Sequence, residues 1–131
     1  MAENNNSINR DTYTISEDQS VGRVQIADEV VAIIAGLAAT EVEGVNSMAG
    51  NITNELVSKL GMKNLSKGVK VDVIDDVVSV MLSLNLKYGY TIPEVSEKVQ
   101  EKVKKAVENM TGMTVSDVNI EIAGMNLENT K

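Results

Sequence analysis

The chain contains no cysteine, no histidine, no phenylalanine and no tryptophan, and it has one proline. Each absence closes a route to chemistry. Without cysteine there is no thiolate nucleophile, no disulfide and no thiolate metal site. Without histidine the chain lacks the side chain best suited to proton transfer near neutral pH, and the commonest zinc ligand. Catalysis is left to carboxylates, lysines, hydroxyls and three tyrosines. The core must therefore be built from Val, Ile, Leu, Ala and Met. Such a core lets backbones approach closely but offers few large anchors for a small molecule.

Positive charge is scarce too. Twelve Lys and Arg face 19 Asp and Glu, for a net charge of −7. That sign is poorly suited to counterion-release binding of phosphate backbones, and it opposes direct adsorption to anionic membranes. The N-terminus lacks a charged segment leading into an apolar one, so it does not read as a signal peptide. The longest apolar stretch, Val30 to Ala39, is too short to span a bilayer. These features predict a cytoplasmic protein with no membrane insertion of its own.

What is present is patterned. Residues 1–20 are rich in Asn, Ser, Thr and acids and read as a disordered polar tail. Gly22 to Ile26 suits a short leading strand. From Asp28, a plausible N-cap, the period turns helical: Val30, Ile33, Ile34, Leu37 and Ala38 form the expected buried face. Ala32, Ala35, Gly36 and Ala39 make a second stripe, small enough for another element to pack closely. Gly44 sits where a chain leaving a helix needs positive φ.

Val45 to Met48 suits another short strand. Ile52, Leu56 and Leu60 keep a helical spacing inside the irregular stretch 49–67, which is expected to be short-helical or mobile over the core edge. The clearest strand signal follows. Val69, Val71 and Val73 alternate with polar residues, as do Val78, Val80, Leu82, Leu84 and Leu86. Asp75-Asp76 forms the turn between them. Thr91 and Glu94 resemble a capping box, and Pro93 suits the first turn of a helix over 93–110. Val95, Val99, Val103, Ala106, Val107 and Met110 form its apolar stripe, with Glu94–Lys98 and Glu101–Lys105 as i, i+4 pairs on the wet side. Gly112 ends it, and Val118, Ile120 and Ile122 alternate in a last strand.

These elements predict an α+β domain over residues 21–125, with a short tail at 126–131. Its two main helices pack on one face of a three-stranded, mainly antiparallel sheet, in the order helix–strand–strand–helix–strand, with further short strands. Strand 69–74 is expected between strand 78–87 and the last strand.

Candidate sites are few. No phosphate-cradling glycine loop occurs. Asp72, Asp75 and Asp76 lack the spacing of a calcium loop and read as solvated turn residues. Glu41 and Glu43 have the residue type for an acid/base pair, but no second polar cluster accompanies them. Lys98, Lys102, Lys104 and Lys105 are interleaved with Glu94, Glu97, Glu101 and Glu108, which reads as a mixed exposed face. No catalytic, cofactor-binding or metal residue is assigned. Tyr88 and Tyr90 flank Gly89 in the loop entering the second helix. They either plug the end of an aliphatic core or anchor a protein contact. With Glu97 and Glu101 on the exposed helix face, they are the predicted partner-contact residues.

The segment Ile33-Ile-Ala-Gly-Leu-Ala-Ala-Thr-Glu-Val-Glu-Gly-Val45 followed by Lys67-Gly-Val-Lys-Val71 resembles the first half of the alkaline shock protein family of Gram-positive bacteria. Tyr88-Gly-Tyr-Thr-Ile-Pro-Glu-Val95, Val99-Gln100, Ala106-Val-Glu-Asn-Met-Thr-Gly112 and Val118-Asn119 resemble its second half. The resemblance runs over about residues 20–125. It implies a non-enzymatic envelope stress response protein without cofactors, held at the membrane, if at all, by a partner. It also implies assembly with itself, docking to a membrane-embedded anchor protein, or both. The alternative is an RNA-binding module of helix–strand–strand–helix–strand type, which the acidic balance opposes.

Overall fold

The computed structural model describes residues 12–16, 21–22, 24–50, 52–53 and 62–127. Along the chain they form β1 (Thr12–Ser16), β2 (Val24–Ala27), α1 (Asp28–Thr40) and β3 (Val45–Met48). A 3-10 helix (Met62–Gly68), β4 (Val69–Ile74), β5 (Val77–Lys87), α2 (Ile92–Thr111) and β6 (Thr114–Asn126) follow. The architecture is α+β, two helices on a four-stranded, largely antiparallel sheet.

β5 is the centre of that sheet. On one edge it pairs antiparallel with β4 over Val77 to Leu82, and then with β3 over Leu84 to Leu86, so the two short strands share one side. On the other edge it pairs in parallel with β6 along its whole length. This corrects the expected order, in which strand 69–74 lay between the other two. The hairpin and β3 together occupy one edge of β5, and the α2 crossover brings β6 back to the other edge, where it runs parallel to β5.

The period of two decides the faces. Val78, Val80, Leu82, Leu84 and Leu86 are all wholly buried beneath the helices. Their neighbours Ser79, Met81, Ser83 and Asn85 lie on the open face. In β6 both Val115 and Val118 are buried although they stand three positions apart, which in an unbroken strand would put them on opposite faces. A bulge at Ser116 restores the phase: Val115 pairs with Val78, and Asp117 pairs with the next residue, Ser79. A second bulge lies between Ile122 and Gly124. There a Cβ on Gly124 would stand 2.8 Å from Asn85 Oδ1. Asn85 uses its amide to donate to Ser47 Oγ at 3.0 Å and Met48 C=O at 3.3 Å, tying β3 to β5.

α1 is buried deepest along the small-residue stripe, while the expected face packs against the core at Ile33, Ile34, Leu37 and Ala38 but not at Val30. Val31, Ala32, Ala35, Gly36, Ala38 and Ala39 are buried, Ile33, Ile34 and Leu37 are half-buried, and Val30 is exposed. The small stripe is the contact face because it brings α1 close to its neighbours. A Cβ on Gly36 would lie 2.9 Å from Leu65 C=O, so the 3-10 helix presses directly on that glycine. Leu65 is wholly buried beneath it. Residues 62–68 are thus an ordered part of the core edge, while Leu56 and Leu60 lie outside the described residues.

The N-cap of α1 is Ala27 and Asp28 is its first residue, where the carboxylate meets the positive end of the helix dipole. Within the stretch read as a polar tail, Thr12–Ser16 pair antiparallel with β2 in a separate two-stranded sheet. The remaining residues of both tails lie outside the described residues, apart from Asn126, which ends β6, and Leu127.

Candidate interaction surfaces

α2 begins where the sequence places it, with Thr91 as N-cap and the proline in its first turn. The cap differs in detail. Thr91 Oγ1 donates to Glu94 Oε1 at 2.9 Å instead of accepting from the backbone. Glu94 is therefore engaged with the cap and forms no ion pair with Lys98, nor does Glu101 with Lys105, among the described residues. Lone pairs of long exposed side chains gain little against their ordering entropy, and other partners win. Lys102 Nζ instead crosses to Glu41 Oε1 of the α1 C-terminal turn at 3.5 Å, and Lys104 reaches Glu108 at 3.8 Å.

The Lys102–Glu41 pair spans an open groove of about 580 Å³ between the end of α1 and one side of α2. Glu41, Val42 and Glu43 form one wall; Lys98, Glu101, Lys102, Lys105, Ala106 and Asn109 form the other. Lys98, Lys102 and Lys105 recur at i, i+4 and i+7, which puts three ammonium groups along one line of the helix. Lys98 and Lys105 have no ion pair among the described residues. The groove therefore offers both signs of charge with a small apolar floor of Val42 and Ala106.

Glu43 joins this groove to the tyrosine loop. Tyr90 Oη donates to Glu43 Oε2 at 3.1 Å. That hydrogen bond, then the carboxylate's charge, and last a slight loss of solvation hold the Tyr90 phenol above the ordinary tyrosine pKa. Beneath the ring lies Gly44 at φ +101°, where a Cβ would stand 2.7 Å from Val95 Cγ2 and 3.0 Å from Tyr90 Cδ2. Tyr90 thus packs on bare backbone while its hydroxyl stays in water. Tyr88 is 61% exposed and makes its contact through the backbone, its N–H donating to Asn126 C=O at 3.1 Å.

Of the four predicted contact residues, Tyr90 borders the groove through Glu43 and Glu101 lines it. Tyr88 stands beside them in the loop, and Glu97 is exposed one helical turn from Glu101 outside the groove lining. In the sequence Glu41, Glu43 and the lysines stand apart, and no motif brings them together. Only the i, i+4, i+7 spacing of Lys98, Lys102 and Lys105 hints at a shared line.

The open sheet face carries a second ordered polar set. Ser79 Oγ donates to Asp117 Oδ2 at 2.9 Å, and Ser83 Oγ donates to Glu121 Oε1 at 2.9 Å. Ser116, Ser79 and Asn119 all donate to Asp117 and hold its carboxyl below the usual aspartate pKa, against a small opposing effect of lost solvation. Among the described residues no cluster of three or more metal-ligating side chains occurs, and no helix is long and apolar enough to cross a membrane.

Comparison with known proteins fixes the relationship. The profile of the alkaline shock protein 23 family, described as having a cell envelope-related function, matches residues 16–127. The chain belongs to that family. The uncharacterized protein YqhY of Bacillus subtilis (strain 168) is 40% identical over 112 residues, covering 86% of this chain and 83% of that protein. The uncharacterized protein Spy1614 of Streptococcus pyogenes is 35% identical over 111 residues, covering 83% of this chain and 92% of that one. A "stress response regulator gls24 homolog" of Streptococcus pyogenes is 28% identical over 102 residues, covering 77% of this chain and 57% of its own length. The family assignment agrees with the resemblance read from the sequence, and it covers β2 through β6.

Proposed function

We propose that this member of the alkaline shock protein family is a non-enzymatic envelope stress response protein that acts through protein–protein contacts. It docks to a membrane-anchored partner, assembles with copies of itself, or does both. The observation that carries the reading is the two-signed groove between α1 and α2, continuous through Glu43 with the Tyr88–Tyr90 loop. Alternating Glu and Lys around a small apolar floor suits another protein's side chains better than a phosphate backbone, which favours unbroken positive charge. Tyrosines at the rim supply contact area at low entropic cost. The stress role is supported by the name of the streptococcal relative.

The test has two arms. Light scattering of the purified chain over a wide concentration range is expected to show assembly. Affinity purification from detergent-solubilised membranes is expected to retain a specific membrane protein, which Lys98→Glu with Lys105→Glu releases. A strict monomer that retains no membrane protein overturns the proposal.

A further inference from the structure

β6 is an edge strand of 13 residues. Among the described residues it pairs with β5 alone, so its far side offers backbone donors and acceptors to another strand. Which groups face outward follows from the ladder. Ala49 N–H donates to Ser83 C=O at 3.0 Å, and Lys87 N–H donates to Gly44 C=O at 2.9 Å. Ser83 and Lys87 therefore point toward β3, and the alternate residues Leu82, Leu84 and Leu86 point toward β6. Leu82 lies opposite Ile120, and in a parallel ladder it bonds to the flanking residues, Asn119 and Glu121. Val118, Ile120 and Ile122 consequently turn their N–H and C=O groups outward.

The capping of this edge is uneven. α2 covers its first half: Glu108 Oε2 accepts from Val115 N–H at 2.9 Å, and Gln100 Nε2 donates to Val118 C=O at 3.0 Å. Beyond Val118, no side-chain cap on the edge occurs among the described residues. Ile120 and Ile122 are only half-buried there, although they belong to the helix-covered face that is fully buried at Leu82 and Leu84.

We infer that the Val118–Ile122 edge pairs antiparallel with the same edge of a second copy, about a two-fold axis at Ile120. This inference rests on the self-assembly part of the proposed function and names its surface. Charge selects the register. An axis at Asn119 would set Asp117 against the partner copy's Glu121, and an axis at Glu121 would set that carboxylate against itself. An axis at Ile122 would run the pairing into the bulge before Gly124. With the axis at Ile120, Val118 meets Ile122, Asn119 meets Glu121 and Asp117 meets Ala123. No like charges oppose, and an amide faces a carboxylate. The apolar rows of the two copies become continuous on the helix side, which covers Ile120 and Ile122. Gln100 does not block this, because the Val118 carbonyl has a second lone pair.

Two measurements test it on the full chain. Ile120→Pro removes an outward N–H without touching the β5 ladder, and Ile120→Ala removes the same side chain while keeping that donor. In sedimentation velocity, the proline variant is expected to dimerise roughly tenfold or more weakly than the alanine variant, circular dichroism being unchanged. The second measurement needs no proline and exploits a chain without cysteine. Asn119→Cys and Glu121→Cys, mixed and oxidised, should yield mainly the mixed disulfide dimer, because facing non-hydrogen-bonded residues sit about 4.5 Å apart at Cα. Equal dimerisation of the two Ile120 variants, or cysteine dimers with no preference for the mixed species, overturns the β6 pairing but leaves self-assembly standing. A wild-type chain that stays monomeric at every concentration overturns both and leaves the edge to a strand of another protein.

Discussion

Gly44 and Gly89 share a φ of +101° and have opposite surroundings. A Cβ on Gly89 meets nothing within 4 Å, whereas one on Gly44 would stand 2.7 Å from Val95 Cγ2 and 3.0 Å from the Tyr90 ring. Alanine at either site incurs the conformational penalty of an L-residue at positive φ, roughly 1–2 kcal/mol. It also incurs the same change in unfolded-chain entropy. Only Gly44→Ala adds overpacking, about 1–3 kcal/mol, because Val95 is held in the core and the Tyr90 ring is tethered through Glu43. The difference between the two variants therefore isolates the packing cost. In urea unfolding with a slope of about 1–3 kcal/mol per molar, Gly44→Ala should unfold about 1 M earlier than Gly89→Ala. Equal midpoints would refute the reasoning, since they would mean that Tyr90 does not rest on the Gly44 backbone.

Gly36→Ala should lower stability by about 1–2 kcal/mol, because overpacking against the Leu65 backbone outweighs the roughly 1 kcal/mol of helix propensity gained; thermal unfolding that shows stabilisation would contradict the 2.9 Å approach. Glu43→Gln should bring the Tyr90 phenol down toward the ordinary tyrosine pKa in an NMR titration, since the acceptor charge is lost. Because folding raises that pKa, the Tyr90–Glu43 contribution to stability is complete below the unfolded tyrosine pKa and is lost as pH rises through the folded one. Asp117 has the opposite sign: its contribution is present above the unfolded aspartate pKa and is lost as pH falls through the lowered folded value. Ser79→Ala should raise the Asp117 carboxyl and shift the acid limb of a stability–pH profile upward relative to wild type.

Period and chemistry separate what was legible in this sequence from what was not. β5 and α2 show plainly because their buried apolar residues are strictly spaced, so one face is marked whatever lies against it; of the stripe expected on α2, Met110 alone is exposed, past the end of the Val95–Val99–Val103–Val107 row. α1 misleads for the reason that makes it pack well. Its largest side chains, Ile33, Ile34 and Leu37, flank the contact, while Ala35 and Ala39 lie at its centre, wholly buried. A pattern read by side-chain size then points to the flank of the contact instead of its centre. The sheet order was hidden because β4 and β6 have the same alternating pattern, and nothing local says which edge of β5 each will take. The bulge at Ser116 likewise leaves no mark except an interval of three between Val115 and Val118, which breaks the strand signal instead of announcing a longer strand. The groove illustrates the same limit at the level of function. Glu41 and Glu43 read as solvated carboxylates beside one helix end, and Lys98 to Lys105 as the wet side of another helix. Their encounter depends on how closely α1 approaches its neighbours, and therefore on Ala35, Gly36 and Ala39. Substituting that small stripe should disturb the groove without touching any residue that lines it, so the interaction surface is encoded as much in the alanines of α1 as in the charges of α2.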